Sequence, residues 1–267
     1  MSRYHDMFER LGQHQGAFIP YVMLYDPDRA TSKKIINAVI EAGADALELG
    51  IAFSDPLADG PTIQKAGLRA LKNHSTVSEA LSLVHEIRDQ HPHIPIGILT
   101  YANLVYKNSL DWFYARCHDS GVDSVLVADV PLLEIEPFFQ AAIKHHIDPV
   151  LIAPANMPKQ RIKELAHYAR GYTYVVTRSG VTGCDRKVKL DHRDFLAELK
   201  AAKAPPVIFG FGISEPSHVE MALKQGAAGA ISGSKIVSII ENNLDNQSLM
   251  LHELTNFIRL MKKATYQ

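Results

Sequence analysis

The chain has 267 residues, of which 46% are hydrophobic and 21% charged, enough to bury a substantial core in one large domain or two smaller ones. A net charge of −1, with no basic block, argues against nucleic acid or an anionic membrane as partner. Two cysteines at unrelated positions, Cys117 and Cys184, argue against a disulfide scaffold, and neither an apolar leader nor an apolar run of membrane length occurs. The expectation is a cytoplasmic globular protein.

The first segment, 1–13, is charged and polar. Short apolar runs then alternate with longer amphipathic ones to the end of the chain. A strand is expected at 18–24, a helix at 32–42, and a second strand at 46–50 followed by helical segments at 64–72 and 77–90. Strands at 94–99, 124–128 and 149–153 are each followed by a helix, at 110–120, 133–145 and 158–168. The last three strands, 172–177, 207–211 and 230–232, alternate with helices at 192–200 and 215–225, and 248–263 closes the chain. Continuous apolar strands, each followed by a helix, imply a parallel sheet covered on its outer face.

Eight such units in about 250 residues fit a (β/α)₈ TIM barrel, with the doubly wound open sheet as the alternative. Three segments, "EAGADALEL", "DSGVDSVLV" and "KQGAAGAIS", each put glycine at a helix end just before a strand, as a shared helix-to-strand turn requires. No linker or compositional break divides the chain, so one domain over 1–267 is expected.

In a barrel the chemistry lies on the loops that follow the strands. This selects Glu48 at the end of the second strand, Asp55 and Asp59 in its loop, and Asp129 after the fourth. It also selects the glycine-bearing loops "SGVTGCDRK", "GFGIS" and "ISGSKI". Glycines admit an anion close to backbone N–H groups, and a short helix beginning at Gly233-Ser234 would aim its dipole at that anion. Gly183, Gly212, Gly233 and Ser234 are therefore the phosphate-binding candidates; the alternative for any single glycine is a tight turn. Glu48 reads either as a carboxylate capping a neighbouring loop or as an acid whose apolar setting raises its pKa toward neutrality. Asp55, followed by Pro56, reads as a turn former.

The histidine pairs have no ligand spacing, so no metal site is expected. No nucleophile elbow, dinucleotide fingerprint or P-loop occurs. The run "WFYARC" has the spacing of a helix's core face, with Trp112 half-buried. Residues alone thus point to a barrel enzyme that acts on a small phosphorylated molecule through carboxylate acid–base chemistry.

The stretch "ELGIAFSDPLADGPTIQ" closely resembles the signature of the tryptophan synthase alpha subunit family. The stretches "PIGILTYANLVY", "GVDSVLVADVP", "GYTYVVTRSGVTG" and "GFGIS…GAAGAISGSKIV" also match that family, in order along nearly the whole chain. The resemblance implies retro-aldol cleavage of indole-3-glycerol phosphate, and an α₂β₂ assembly that passes indole to a beta subunit. Pyridoxal phosphate would belong to that partner, with no cofactor in this chain. By the same resemblance Glu48 is the proton shuttle and Asp59 the carboxylate that balances charge on the indole ring.

Tyr174 is expected near the substrate, with a core tyrosine as the alternative. Ile63, Leu99, Leu126, Phe211 and Ile231 are expected to form an apolar slot for the ring, with ordinary barrel packing as the alternative for each. Thr182 would orient Asp59 from the loop after the sixth strand, which begins at Arg178. Four positions depart from the family's usual residues. Ala52 stands for proline, Tyr25 for glycine, Tyr21 for phenylalanine and Met23 for threonine. The expectation is a less rigid loop at Ala52 and altered packing beneath the site at Tyr25. Two other functions compete: a free-standing lyase that releases indole, and a mainly allosteric binding subunit.

Overall fold

The computed structural model describes residues 2–176, 192–210 and 212–266. The strands are β1 (Ala17–Met23), β2 (Leu47–Gly50), β3 (Ile96–Thr100), β4 (Ser124–Val127), β5 (Asp148–Pro149), β6 (Leu151–Pro154), β7 (Thr173–Val176), β8 (Val207–Gly210) and β9 (Gly229–Ser232). They form one parallel sheet in the order β5-β4-β3-β2-β1-β9-β8-β7-β6. The two ends of that order are neighbours in the chain, since only Val150 separates β5 from β6. The single segment pairs with β4 through its first half and with β7 through its second. That shared segment brings the ends of the sheet together into an eight-unit barrel. All seven residues of β1 are buried, as expected of a strand covered on both faces.

Around the barrel run α2 (Arg29–Glu41), α3 (Pro61–Lys72), α4 (Val77–Gln90), α5 (Ala102–Tyr106), α6 (Leu110–Asp119), α7 (Ile135–Lys144), α8 (Lys159–Tyr168), α9 (Arg193–Ala201), α10 (Pro216–Lys224), α11 (Ser234–Asn242) and α12 (Gln247–Lys263). Local chemistry sets several of their starts. Thr76 and Glu79 form a reciprocal capping box on α4, and Gly60-Pro61 opens α3 with proline in its first turn. Phe113, Tyr114 and Cys117 of α6 enter the core, and Trp112 is half-buried. Among the described residues no helix is long and apolar enough to cross a membrane.

The N-terminal segment departs from expectation. Residues Arg3–Leu11 form a further helix, α1, which covers the N-terminal end of the barrel. Tyr4 is 1% exposed and its hydroxyl meets the Ser124 hydroxyl at 2.9 Å, while Arg3 pairs with Asp123 at 2.8 Å. The signal was present in a polar sequence. Ser2 caps the helix, and Tyr4, Met7, Phe8 and Leu11 recur at the spacing of one helical face.

Candidate active site

Glu48 lies within β2, on the face that points into the barrel, and is 2% exposed. Its row of paired residues runs from Tyr21 through Glu48, Gly97 and Ser124 to Asp148. The Tyr172 hydroxyl, arriving from across the barrel, donates to Glu48 Oε1 at 3.0 Å. Tyr172 in turn packs on Tyr4, with ring centroids 5.4 Å apart, so α1 supports the floor under the acid. Burial pushes the Glu48 carboxyl up to about 7; the Tyr172 hydrogen bond opposes this, and the negative charge of Asp59 adds to it.

Asp59 sits in the loop between β2 and α3. The loop is pinned to the helix start, since the Asp59 N–H donates to the Pro56 carbonyl at 3.1 Å and the Gln64 side chain donates to the Asp59 carbonyl at 2.8 Å. Burial pushes the Asp59 carboxyl up to about 6, with the Tyr101 hydroxyl acting in the opposite sense. Tyr101 is 1% exposed and stacks on Phe53 at 5.3 Å, yet its hydroxyl makes no hydrogen bond within 3.5 Å among the described residues. Burial and then the charges of both Glu48 and Asp59 hold the hydroxyls of Tyr21 and Tyr174 well above the usual tyrosine range. The charges of both acids are thus felt at both tyrosines. Asp55 is exposed and accepts from the Ser54 hydroxyl at 2.5 Å, as a loop-shaping residue would.

The row above Glu48 is apolar, with Gly50 paired to Leu99 and Leu99 to Leu126. Leu126 is buried and Leu99 half-buried, Ile63 is buried on α3, and Ile231 is buried on β9 opposite Ile19. Tyr174 reaches over Gly210, where a Cβ would stand 2.1 Å from its hydroxyl. In the loop after β8, Gly212 adopts φ +74, and among the described residues no atom lies within 4 Å of where a Cβ would stand. Gly233 is the N-cap of α11, and among the described residues no side chain caps that helix, which leaves its first N–H groups to an anion. The Ser232 hydroxyl donates to the Ile213 carbonyl at 2.6 Å and ties the loops after β8 and β9 together. Gly212, Gly233 and Ser234 thus share one corner. Thr182, Gly183, Arg178 and Phe211 lie outside the described residues.

Tyr25 corrects one expectation. It keeps φ at 69, the left-handed region in which glycine is at ease, but its ring does not lie beneath the site. Its hydroxyl accepts from Arg29 Nε at 3.1 Å and points toward the Glu79 carbonyl, in the outer layer of α2 and α4. Ala52 is 4% exposed within the loop after β2. Sequence reading overlooked the tyrosines around the acids: Tyr4, Tyr101 and Tyr172. Tyr172 was the most legible, because it lies two residues from Tyr174 and so on the same strand face.

Among the described residues no group of histidine, cysteine or carboxylate side chains could hold a metal. Two carboxyls lifted toward neutrality by burial in a parallel barrel, with an uncapped helix start on the loop after β9, are the equipment of a barrel enzyme that uses acid–base chemistry. The family model described as tryptophan synthase alpha chain matches residues 8–266. The chain belongs to that family. It is 54% identical to the tryptophan synthase alpha chain of Proteus mirabilis over 99% of each sequence. Among solved structures, the alpha subunit of Legionella pneumophila superposes with a TM-score of 0.89 at 25% identity, covering 99% of this chain and 98% of that one. A structure of the tryptophan synthase α₂β₂ complex of Pyrococcus furiosus superposes with a TM-score of 0.84 at 35% identity, covering 93% and 98% of the respective chains. The family's reaction is the lyase step that cleaves indole-3-glycerol phosphate to indole and glyceraldehyde 3-phosphate.

Proposed function

We propose that this chain carries out that cleavage with Glu48 as proton carrier and Asp59 as fixed counter-charge. Indole is a poor carbanion leaving group, so C3 of the ring must be protonated before its bond to the glycerol chain breaks. Glu48, protonated near neutral pH, delivers that proton, and the resulting carboxylate accepts the proton of the side-chain hydroxyl as the aldehyde forms. Protonation at C3 leaves positive charge toward the ring N–H, where ionised Asp59 stabilises it. Leu99, Leu126, Ile63, Ile231 and Phe211 hold the ring beside Tyr174. Gly212, Gly233 and Ser234, together with Gly183, take the phosphate, and Thr182 orients Asp59. The observation that carries this reading is a glutamate sealed in the barrel with its carboxyl raised by burial to about 7, within reach of the charge of Asp59.

The chemistry requires no cofactor from this chain; pyridoxal phosphate belongs to a beta partner. The partner reading is supported at the same rim of the barrel. Leu57, Leu133 and Tyr106, on the segments after β2, β4 and β3, are 80%, 72% and 53% exposed. Beside Leu133 a cleft of about 440 Å³ opens among Ala128, Pro131, Ile152 and Met157. Apolar side chains so placed favour an α₂β₂ assembly over a free-standing lyase. Free, buried Cys117 is in keeping with a reducing cytoplasm, and the chain works as one barrel domain over 1–267. The test is indole release from indole-3-glycerol phosphate by the purified chain, alone and with a cognate beta chain. Glu48→Ala should abolish release while phosphate-ligand binding survives; full activity in that variant would remove Glu48 from the mechanism.

A further inference from the structure

Tyr21 has a hydroxyl that packing does not explain. Across the sheet it pairs with Glu48. Its side chain runs along β2 to Gly50, where a Cβ would stand 2.1 Å from the hydroxyl. The base of the same side chain lies 3.5 Å from where Gly233 would carry a Cβ. Tyr21 therefore spans the distance from the anion-ready end of α11 to the strand that holds the acid. A molecule with its phosphate at the start of α11 and its ring beside the acids would pass along it.

Two tyrosines of the barrel floor, Tyr4 and Tyr172, have strong partners. Tyr4 meets Ser124 at 2.9 Å, and Tyr172 donates to Glu48 at 3.0 Å. Tyr21 is 4% exposed, and the acceptor that its hydroxyl finds is the thioether of Met23, 3.9 Å away. A thioether is a weak acceptor, and a buried phenol ordinarily has a better one. Phenylalanine would fill the same space without that cost. Tyr21 and Met23 stand two residues apart on β1 and so face the same way, which is why the hydroxyl meets this sulfur and not a better acceptor.

We propose that the Tyr21 hydroxyl donates a hydrogen bond to the hydroxylated three-carbon chain of the substrate, so that this enzyme reads the polyol link as well as the ring and the phosphate. Burial, and after it the charges of Asp59 and Glu48, keep the phenol protonated, and it acts as a donor throughout the working pH range. The proposal rests on indole-3-glycerol phosphate being the substrate.

The experiment uses the full chain assembled with its beta partner and compares wild type, Tyr21→Phe and Met23→Leu. Two ligands are measured: indole-3-glycerol phosphate, by kcat/KM, and an inhibitor with indole and phosphate joined by an unsubstituted propyl chain, by its Ki. Tyr21→Phe should lower kcat/KM by about threefold to tenfold, the worth of one neutral hydrogen bond. It should leave the Ki of the propyl ligand within about twofold, because the lost hydrogen bond is one that this ligand cannot accept. Its melting temperature should equal or exceed that of wild type, and Met23→Leu should behave as wild type with both ligands. An unchanged kcat/KM in Tyr21→Phe overturns the proposal. So does an equal loss for both ligands, or a Met23→Leu variant that reproduces the loss. Wild type that releases no indole refutes the function itself, an outcome separate from these.

Discussion

Replacing Glu48 with glutamine tests whether the barrel holds this acid in its protonated form. The amide has nearly the shape of the neutral acid and can still accept from Tyr172, but it cannot ionise. In the folded chain the carboxyl rises from 4.5 to about 7. Between those values the native state keeps a proton that the unfolded chain has lost, so wild type loses stability as pH rises through this window. Above it the penalty is complete. A shift of that size is worth about 3 kcal/mol. Glu48→Gln should therefore be the more stable protein at pH 8 by up to about 3 kcal/mol, or roughly 6–12 °C in melting temperature for a chain of this size. At pH 5, where wild type is mostly protonated in the fold, the gap should shrink to about 1 kcal/mol or less. Thermal unfolding of both proteins at pH 5, 6, 7 and 8 gives the comparison, and the same samples should release no indole in the variant. A stability gap that stays constant with pH, or one that grows toward acid, refutes the argument that burial sets the proton on Glu48.

The remaining predictions concern the neighbours of this acid. Asp59→Asn should lower kcat by about 10²- to 10³-fold with a smaller change in KM, because a charge needed in the transition state has gone; a loss confined to KM would assign Asp59 to binding. In wild type, kcat/KM should rise with pH as Asp59 ionises near 6 and fall as Glu48 loses its proton near 7, and the acid limb should vanish in the residual activity of Asp59→Asn. Tyr172→Phe removes the hydrogen bond that favours ionised Glu48, so the alkaline limb should move to higher pH, at a stability cost of about 1 kcal/mol. An unmoved limb would disconnect Tyr172 from the acid. Changing both Leu57 and Leu133 to aspartate should weaken co-purification with a beta chain and leave the melting temperature unaltered, since both side chains stand in solvent.

The barrel was legible because its strands are continuous apolar runs, and their bounds fell within a residue or two of those expected. The exception is the fifth unit. The run 149–153 reads as one strand, but the chain divides it around Val150 to change pairing partners, and nothing local in the sequence records that change. Helix α1 went unread because its apolar face is narrow and set among charges. That Glu48 lies on a barrel strand and Asp59 in the loop after it was legible from the strand pattern, though Glu48 is sealed inside β2 and does not stand at the rim. The tyrosines that hold and surround them were not, because those contacts join distant parts of the chain: Tyr172 meets Glu48 across 124 residues, and Tyr4 meets Ser124 across 120. Tyr25 was misjudged for a related reason. Its place after β1 suggested the site, whereas the left-handed turn at that residue sends the ring outward.

The most direct test is the structure of the Glu48→Gln chain with indole-3-glycerol phosphate bound. The account predicts the ring nitrogen within hydrogen-bonding distance of the Asp59 carboxylate, C3 of the ring facing residue 48, and the phosphate at the start of α11. A ring whose nitrogen turns away from Asp59, or whose C3 lies beyond reach of residue 48, contradicts it.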